Sequence, residues 1–189
     1  MNKVMKRDEA LKLLRTYVKN ERTIAHCLAS EAVMGSLAEH LGEDVHKWRL
    51  AGLLHDLDVE MTQGDMVNHA METARILREL NLDPEIVEAI MLHNESASHG
   101  RARETRFHHA LAAGETITGL IMATALVYPD KKVGSVKPKS ILKRMKEKAF
   151  AASVNRDTIR ECEQAGVSLE EFVRLSLGAM QQISDDIGL

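Results

Sequence analysis

Apolar residues recur every three or four positions along most of the chain, which is the spacing of one face of an α-helix. Residues that commonly cap helices, such as Asn20, Asp44, Asp83 and Asn155, stand where these patterns begin. We therefore predict helices over about 7–19, 20–40, 44–55, 69–80, 84–93, 104–128, 155–166 and 168–180. Because no segment alternates apolar and polar residues as a strand does, the sequence predicts an all-α fold.

The composition supports one helical domain. Of the 189 residues, 44% are hydrophobic and only 3% are aromatic, and 10 are Met. The core must therefore consist mainly of Ala, Leu, Ile, Val and Met, a composition that favours helices. A chain of this length suits a single domain. We expect its helical core over about 20–128 and a C-terminal helical extension over about 129–189.

Charge and cysteine content indicate which compartment and which binding partners to expect. The net charge is −3, so no global excess of positive charge favours nucleic acid as a partner. The basic stretch 131–148 is either a solvated face or a surface for phosphate or a partner. Cys27 and Cys162 lie far apart and follow no secretory leader, which indicates reduced thiols in a cytoplasmic protein. No apolar run approaches the roughly 18 residues that span a bilayer, so no membrane association is expected, and homo-oligomerisation is left open.

The first candidate chemistry lies at the end of an apolar run. Residues 50–54, Leu-Ala-Gly-Leu-Leu, should be buried, yet His55 and Asp56 follow them directly. Burying these polar groups without partners costs free energy. An imidazole and a carboxylate are ligands of Zn, Mn or Fe, so a shared cation is one compensation. A hydrogen-bonded histidine and a capping aspartate at a helix end explain the same pair.

The positions of other histidines favour the metal. His26 lies about 15 residues before the turn at Gly42 and His55 about 12 residues after it, roughly 22 and 18 Å along antiparallel helices. His69 and His93 lie about 12 and 10 residues from the turn between their own helices. Each predicted hairpin therefore brings two histidines level within about one helical turn.

Glu115 is an anomaly on the predicted helix 104–128. It shares a stripe with Leu111, Met122 and small residues, where a carboxylate is unusual. The side chain either faces solvent at the margin of the stripe or is paired with a cation. His108 lies on the same stripe and is a candidate for lining a pocket.

The order of His26, His55-Asp56, His69, His93 and Glu115 resembles that of the HD superfamily of metal-dependent phosphohydrolases. The phrases Leu-Leu-His-Asp-Leu-Asp, Ile-Met-Leu-His-Asn-Glu and Phe-Ala-Ala-Ser-Val-Asn-Arg are similar to a bacterial and archaeal branch of HD-domain hydrolases. The resemblance implies a single HD-type helical bundle. It also implies one or two divalent transition-metal ions, drawn from Mn, Fe, Zn, Co and Ni.

The resemblance implies two sets of metal ligands that share Asp56: His26, His55, Asp56 and Glu115 for one ion, and His69, His93 and Asp56 for the other. Two departures from the family pattern stand out. The last ligand is usually aspartate, whereas this chain has Glu115, one methylene longer. Leu57 and Asp58 follow the doublet instead of Ile-Gly, and no lysine follows, which argues against the cyclic-dinucleotide phosphodiesterase branch.

The implied function is metal-dependent hydrolysis of a phosphomonoester or phosphodiester in a nucleotide or related small phosphorylated molecule. Metal-activated water would be the nucleophile, with His55 and Asp56 as the catalytic residues. Further residues are candidates for orienting the ligands or binding the substrate: Asp58, Glu95, Arg101, Arg103 and His108. Asp58 and Glu95 also fit a role as surface carboxylates. The alternatives are a catalytically silent module that binds a nucleotide or a partner, and a dinuclear iron oxygenase.

Overall fold

The computed structural model describes residues 4–189, and over this range the chain forms ten α-helices and one short 3-10 helix, with no strand. The predicted all-α class is confirmed. The helices are α1 Arg7–Tyr17, α2 Glu21–Leu41, α3 Val45–Leu54, α4 Met71–Glu79, α5 Pro84–His93, α6 Arg106–Leu126, α7 Pro138–Lys146, α8 Arg156–Arg160, α9 Leu169–Gln182 and α10 Ser184–Ile187, and the 3-10 turn is Val133–Ser135.

Side-chain caps fix several helix starts where the sequence indicated them. The side-chain oxygen of Asn20 accepts hydrogen bonds from two backbone N–H groups in the first turn of α2. Asn155 does the same for α8, and Asp44 and Asp83 each accept one such hydrogen bond at the start of α3 and α5. At the other end of α2, Gly42 adopts a left-handed conformation with φ of 71°, which is the usual way to end a helix before a tight turn.

Helices α2 and α6 form the centre of the molecule. Helix α2 packs against α3, α6 and α9, and α6 also packs against α5, α7 and α8. A Cβ atom at Gly52 would lie 2.5 Å from the backbone oxygen of Ser30, so only glycine lets α3 approach α2 this closely. This close crossing places the end of α3 beside the middle of α2, where the functional side chains lie.

Helix α6 differs from the expectation that no apolar run approaches the length that spans a bilayer. Among residues 4–189, this one helix is long and apolar enough to cross a membrane by length and composition alone. However, 61% of its most apolar 18-residue stretch is buried inside the protein. A core helix of a folded domain passes the same test, and α6 packs against helices on several sides.

The segment between α3 and α4 also differs from the prediction. We expected His69 to open a helix, but residues 55–70 form a series of turns and α4 begins only at Met71. The cause is Asp58, whose carboxylate accepts hydrogen bonds from both the His69 ring and the backbone N–H of Thr73. Ala70, with φ of 74°, reverses the chain between these two contacts.

Candidate metal centre

Side chains from separate segments converge on one cavity. His26 projects from the middle of α2, His55 and Asp56 follow α3 directly, and His93 is the last residue of α5. His69 comes from the turn before α4. The rings of successive histidines lie edge to face, with ring centres 5.0 Å apart for His26 and His55 and 5.1 Å apart for both His55–His93 and His69–His93.

Each of these four histidines has its Nδ1 atom next to an acceptor. His55 Nδ1 lies 2.8 Å from the backbone oxygen of Gly52, and His93 Nδ1 lies 2.6 Å from that of Ile90. A carbonyl oxygen only accepts, so Nδ1 must donate in both pairs. Each Nε2 atom of the neutral ring then carries a free lone pair.

The same reasoning applies to His26. The hydroxyl of Thr118 donates to the backbone oxygen of Glu115 at 2.6 Å, so it accepts from His26 Nδ1 at 2.7 Å. His26 Nε2 and His55 Nε2 are 3.1 Å apart, and both carry lone pairs. Burial is the main cause that lowers the pKa of His26 to about 4, so the His26 ring is neutral at pH 7 and its Nε2 atom is free to bind a cation. The chemistry of this pair fits a shared cation.

Asp56 faces all four Nε2 atoms. One carboxylate oxygen lies 3.3, 3.5 and 3.8 Å from the Nε2 atoms of His69, His55 and His93, and the other lies 3.6 Å from that of His26. Burial alone would raise the pKa of Asp56, but the surrounding histidines, His55 first, hold it well below its usual value. Asp56 is therefore an ionised carboxylate at the centre of the histidines.

Asp58 holds His69 in place. It is fully buried, and its Oδ1 atom lies 2.8 Å from His69 Nδ1 while Oδ2 accepts from the Thr73 backbone N–H at 2.9 Å. Burial would lower the pKa of His69, but its contacts with Asp56 and Asp58 raise it to about 10. Asp58 thus has the arrangement of a carboxylate that orients a metal-binding histidine.

Glu115 reaches the cavity from α6. Its Oε2 atom lies 3.7 Å from His26 Nε2, and its Oε1 atom accepts a hydrogen bond from the Thr116 hydroxyl. Burial raises the pKa of Glu115 to about 8. Its carboxyl group faces the same space as His26, but Glu115 belongs to neither of the two groups of side chains whose ligand atoms lie close together.

Two groups of potential metal ligands occur among residues 4–189. The ligand atoms of His26, His55 and Asp56 lie within 4.8 Å of one another, and those of Asp56, His69 and His93 form a second group with the same limit. Both groups combine imidazole nitrogen with carboxylate oxygen, the donors that Zn, Mn and Fe accept. The residues present therefore fit one or two divalent transition-metal ions that share Asp56.

Three residues that we expected near the substrate lie elsewhere. Arg101 is exposed and pairs with Glu88. His108 is buried and lies 3.7 Å from the same glutamate, and its Nδ1 atom accepts from the backbone N–H of Thr105 at 3.4 Å, which places it in the cap of α6. Neither residue lines the cavity that contains the histidines.

Arg103 also has a structural environment. The Nε and Nη2 atoms of its guanidinium group donate to the two carboxylate oxygens of Glu161. Its Nη1 atom donates to the backbone oxygens of Leu92 and His93 at 2.9 and 3.3 Å. Only 10% of the side chain is exposed. Because these partners occupy its donors, Arg103 is a support for the end of α5 and does not line the histidine cavity. Its contact with Glu95, at 3.2 Å, links it to the rim of that cavity.

The cavity has a volume of about 340 Å³ and contains residues that the sequence analysis did not single out. Five of the six predicted ligands line it, all but the fully buried His55, together with Glu95, Met66, Asn94, Ser96, Thr116, Gly119, Ser153, Val154, Asn155 and Thr158. Asn94 had a usable signal, since it directly follows His93 at the end of a predicted helix. Residues 153–155 belong to the phrase Phe-Ala-Ala-Ser-Val-Asn-Arg that carried part of the resemblance, but their place in the cavity depends on tertiary packing.

A model of the family described as "HD domain" matches residues 23–125. Ribonuclease Y of Mycoplasma mycoides is 35% identical over 85 residues, which cover 45% of this chain and 20% of that protein. Ribonuclease Y of Geobacter metallireducens is 35% identical over 85 residues, covering 45% and 16%. Ribonuclease Y of Rubrobacter xylanophilus is 23% identical over 178 residues, covering 94% and 34%.

The chain thus spans between 16% and 34% of the length of these curated relatives. No solved structure matches it significantly. The family match covers more than half of the chain and includes His26, His55, Asp56, His69, His93 and Glu115. By this match and by its all-α fold, the chain belongs to the HD domain family.

Proposed function

We propose that this protein is a metal-dependent phosphohydrolase that acts on the phosphate ester of a nucleotide or a closely related small molecule. The observation that carries the proposal is the orientation of the four histidines. The Nδ1 atoms of His26, His55, His69 and His93 lie next to hydrogen-bond acceptors while the Nε2 atoms surround Asp56. This arrangement suits hydrolysis because phosphate esters need a concentrated positive charge and a water molecule with a lowered pKa.

A bound divalent ion supplies both, since it neutralises phosphate oxygens and lowers the pKa of coordinated water from about 15.7 towards about 7. The residues of the chain would hold the ions and orient the attacking water. His26, His55 and Asp56 would hold one ion, with Glu115 as a further ligand, and His69 and His93 would hold a second one beside Asp56. The ionised carboxylate of Asp56 can accept a hydrogen bond from the attacking water. His55, the least exposed of these side chains, would bind the ion from its most buried side.

A second candidate is cleavage of an RNA phosphodiester. It is favoured by the relatives, which are named Ribonuclease Y. The net charge and the chain's partial coverage of these relatives leave the small-molecule substrate as our main proposal.

The test begins with metal analysis of the purified protein. The protein is then stripped with a chelator, reloaded separately with Mn, Fe, Zn, Co or Ni, and assayed for phosphate release from nucleotides and for cleavage of a single-stranded RNA. We expect phosphate release that requires metal and that is lost in Asp56→Ala but kept in Asp185→Ala, a matched change at an exposed aspartate. Bound metal without hydrolysis of any phosphate ester would contradict the proposal, and oxygen consumption by the iron-loaded protein would favour the oxygenase.

A further inference from the structure

Part of the cavity wall comes from a loop in the last third of the chain. Residues 147–155, here called the covering loop, connect α7 to α8 and contribute Ser153, Val154 and Asn155 to the cavity. The role that we assign to this loop rests on the proposed function.

A single arginine holds the covering loop in shape. Arg156, the first residue of α8, donates hydrogen bonds to a series of backbone oxygens: those of Ala151 and Val154 at 2.7 Å, Glu147 at 3.3 Å, Arg144 at 3.4 Å, and Phe150. A planar guanidinium group can donate hydrogen bonds to several carbonyl oxygens at once, whereas an ammonium group cannot donate in the same set of directions. Arg156 is therefore a positioning residue for the loop.

The loop is seated against α6 and against the end of α5. A Cβ atom at Gly119 on α6 would lie 3.3 Å from Cγ2 of Val154, closer than a comfortable contact. The Nδ2 atom of Asn155 lies 3.4 Å from Oε1 of Glu95, and Glu95 in turn pairs with Arg103. These contacts fix the distance between the loop and the candidate metal ligands.

The chemistry of the cavity wall restricts the substrate. Among the described residues that line it, none is Lys or Arg, while Asp56, Glu95 and Glu115 are acidic. Recognition of a polynucleotide backbone depends on several Lys or Arg contacts to phosphates. This wall offers no such contacts, and the two arginines of the adjoining cavity, Arg103 and Arg160, are paired with Glu161 and Glu163. One terminal phosphate suits the cavity better than a chain of them.

The remaining wall suits the neutral part of a small molecule. Ser153 offers a hydroxyl to the hydroxyl groups of a ligand. The Oδ1 atom of Asn155 caps α8 and its Nδ2 atom contacts Glu95, but the second N–H of Nδ2 can donate to a ligand. Met66 and Val154 offer apolar surface for a flat ring. A volume of about 340 Å³ falls within the range of small-molecule sites. A sugar and a base have this combination of hydroxyls and a flat ring.

We propose that the covering loop, held by Arg156, is the specificity-determining wall of the metal cavity and selects a nucleoside monophosphate over a polynucleotide. The phosphate is held at the histidines, and the nucleoside lies against the loop. Ser153 and Asn155 contact its hydroxyl groups.

Gly119→Ala tests the seat of the loop without changing any polar group. Alanine at this position in α6 should keep or raise the melting midpoint, because Ala favours a helix over Gly. However, the added methyl group must displace Val154. The matched control is Gly178→Ala in α9, where an added Cβ would have no neighbour within 4 Å.

Binding is measured by calorimetry on the metal-loaded protein, with two probes. One is the methylene phosphonate analogue of a nucleoside 5′-monophosphate, which cannot lose its phosphorus group, and the other is inorganic phosphate. In Gly119→Ala and in Ser153→Ala, we expect the Kd of the phosphonate to rise about tenfold, the effect of losing a well-placed contact. The Kd of inorganic phosphate and the metal content should stay unchanged, and Gly178→Ala should resemble the wild type.

Arg156→Lys gives a second, independent test. We expect the same rise in the phosphonate Kd, unchanged binding of inorganic phosphate, and faster hydrogen exchange of the backbone amides in residues 147–155. A purely structural role for Arg156 would weaken the binding of both probes together through loss of the fold.

Several outcomes would overturn the inference. One is equal binding of the phosphonate by Gly119→Ala and Gly178→Ala. Another is a wild-type affinity for the phosphonate that is no higher than that for inorganic phosphate. The third is that single-stranded RNA binds more tightly than the phosphonate and that Gly119→Ala leaves this RNA binding unchanged. Because calorimetry requires no turnover, a wild type that binds the phosphonate as expected but releases no phosphate would contradict only the proposed function.

Discussion

At the scale of single residues, the hydrogen bonds on the far side of each histidine decide what the cavity can hold. Gly52 and Ile90 contribute backbone oxygens, and Thr118 and Asp58 contribute side-chain oxygens. These contacts set the proton on Nδ1 and turn Nε2 towards Asp56. The sequence allowed the histidines to be paired by helical spacing, but it contained no signal for which ring atom each one presents.

Asp58→Asn tests whether this orientation matters for metal binding. The amide has one acceptor oxygen where the carboxylate has two, so it cannot accept from both His69 and the backbone N–H of Thr73. We expect a 10- to 100-fold loss of metal affinity, the usual order of effect when such a partner is removed. Affinity is measured by competition with a chelator. Asp185→Asn, at an exposed aspartate in α10, is the control, and equal affinity in the two variants would show that Asp58 has no role in orienting a ligand.

Glu115 gives the second residue-scale prediction. If its carboxylate is a ligand, Glu115→Asp should retain metal or bind it more tightly, because aspartate is the usual ligand in the resembling family. Glu115→Gln keeps the shape but removes the charge, and it should lower the affinity at least tenfold by analogy with other lost ligand contacts. Elemental analysis after dialysis measures both. Metal loss in Glu115→Asp together with retention in Glu115→Gln would contradict a ligand role.

At the scale of elements, periodicity and capping residues predicted most helices, because both are local properties of the sequence. The segment 55–70 was different. Its turns depend on Asp58, Thr73 and Asn94, which are separated in sequence and meet only after the helices have packed. The position of the covering loop in the cavity was not predicted for the same reason, since its contacts with Gly119 and Glu95 are long-range.

Arg103→Ala tests the support of α5. The variant leaves Glu161 without its bidentate partner and frees the backbone oxygens of Leu92 and His93. We expect the free energy of unfolding to fall by about 2–3 kcal/mol, the scale for hydrogen bonds to charged groups in a largely buried pair. Arg101→Ala, at an exposed pair, should cost no more than about 1 kcal/mol. Urea denaturation measures both, and equal losses would contradict the assignment of Arg103 as a support.

The Arg103–Glu161 pair predicts that the stability of the protein depends on pH. Burial would raise the pKa of Glu161, but hydrogen bonds from Arg103 and His109 lower it below its usual value of 4.5. A lowered pKa contributes stability above pH 4.5, and this contribution disappears as the pH falls through the value in the folded protein. The difference in stability between wild type and Arg103→Ala should therefore shrink as the pH is lowered below 4.5. A difference that stays constant would show that the ion pair is not its source.

At the scale of the whole molecule, the candidate metal centre exists only in the folded chain. His26 and His93 come from different hairpins, and Glu115 comes from a third segment. The apolar core that joins these segments extends through α9 and does not depend on the ligands. The protein without metal should therefore remain folded, and a metal ion should stabilise it further by binding the native state alone.

Thermal unfolding with and without metal tests this coupling. At a free metal concentration about 100 times the Kd, the native state should gain about 2.7 kcal/mol, which corresponds to a rise in Tm of about 5–11 °C for a chain of this size. His55→Ala removes the most buried candidate ligand, so its Tm should respond much less to metal while its helical circular dichroism stays near that of the wild type. Asp185→Ala should keep the full response. An equal rise in Tm for His55→Ala and wild type would mean that metal stabilises the protein from another place, because a ligand that contributes nothing to the binding free energy cannot be part of the site.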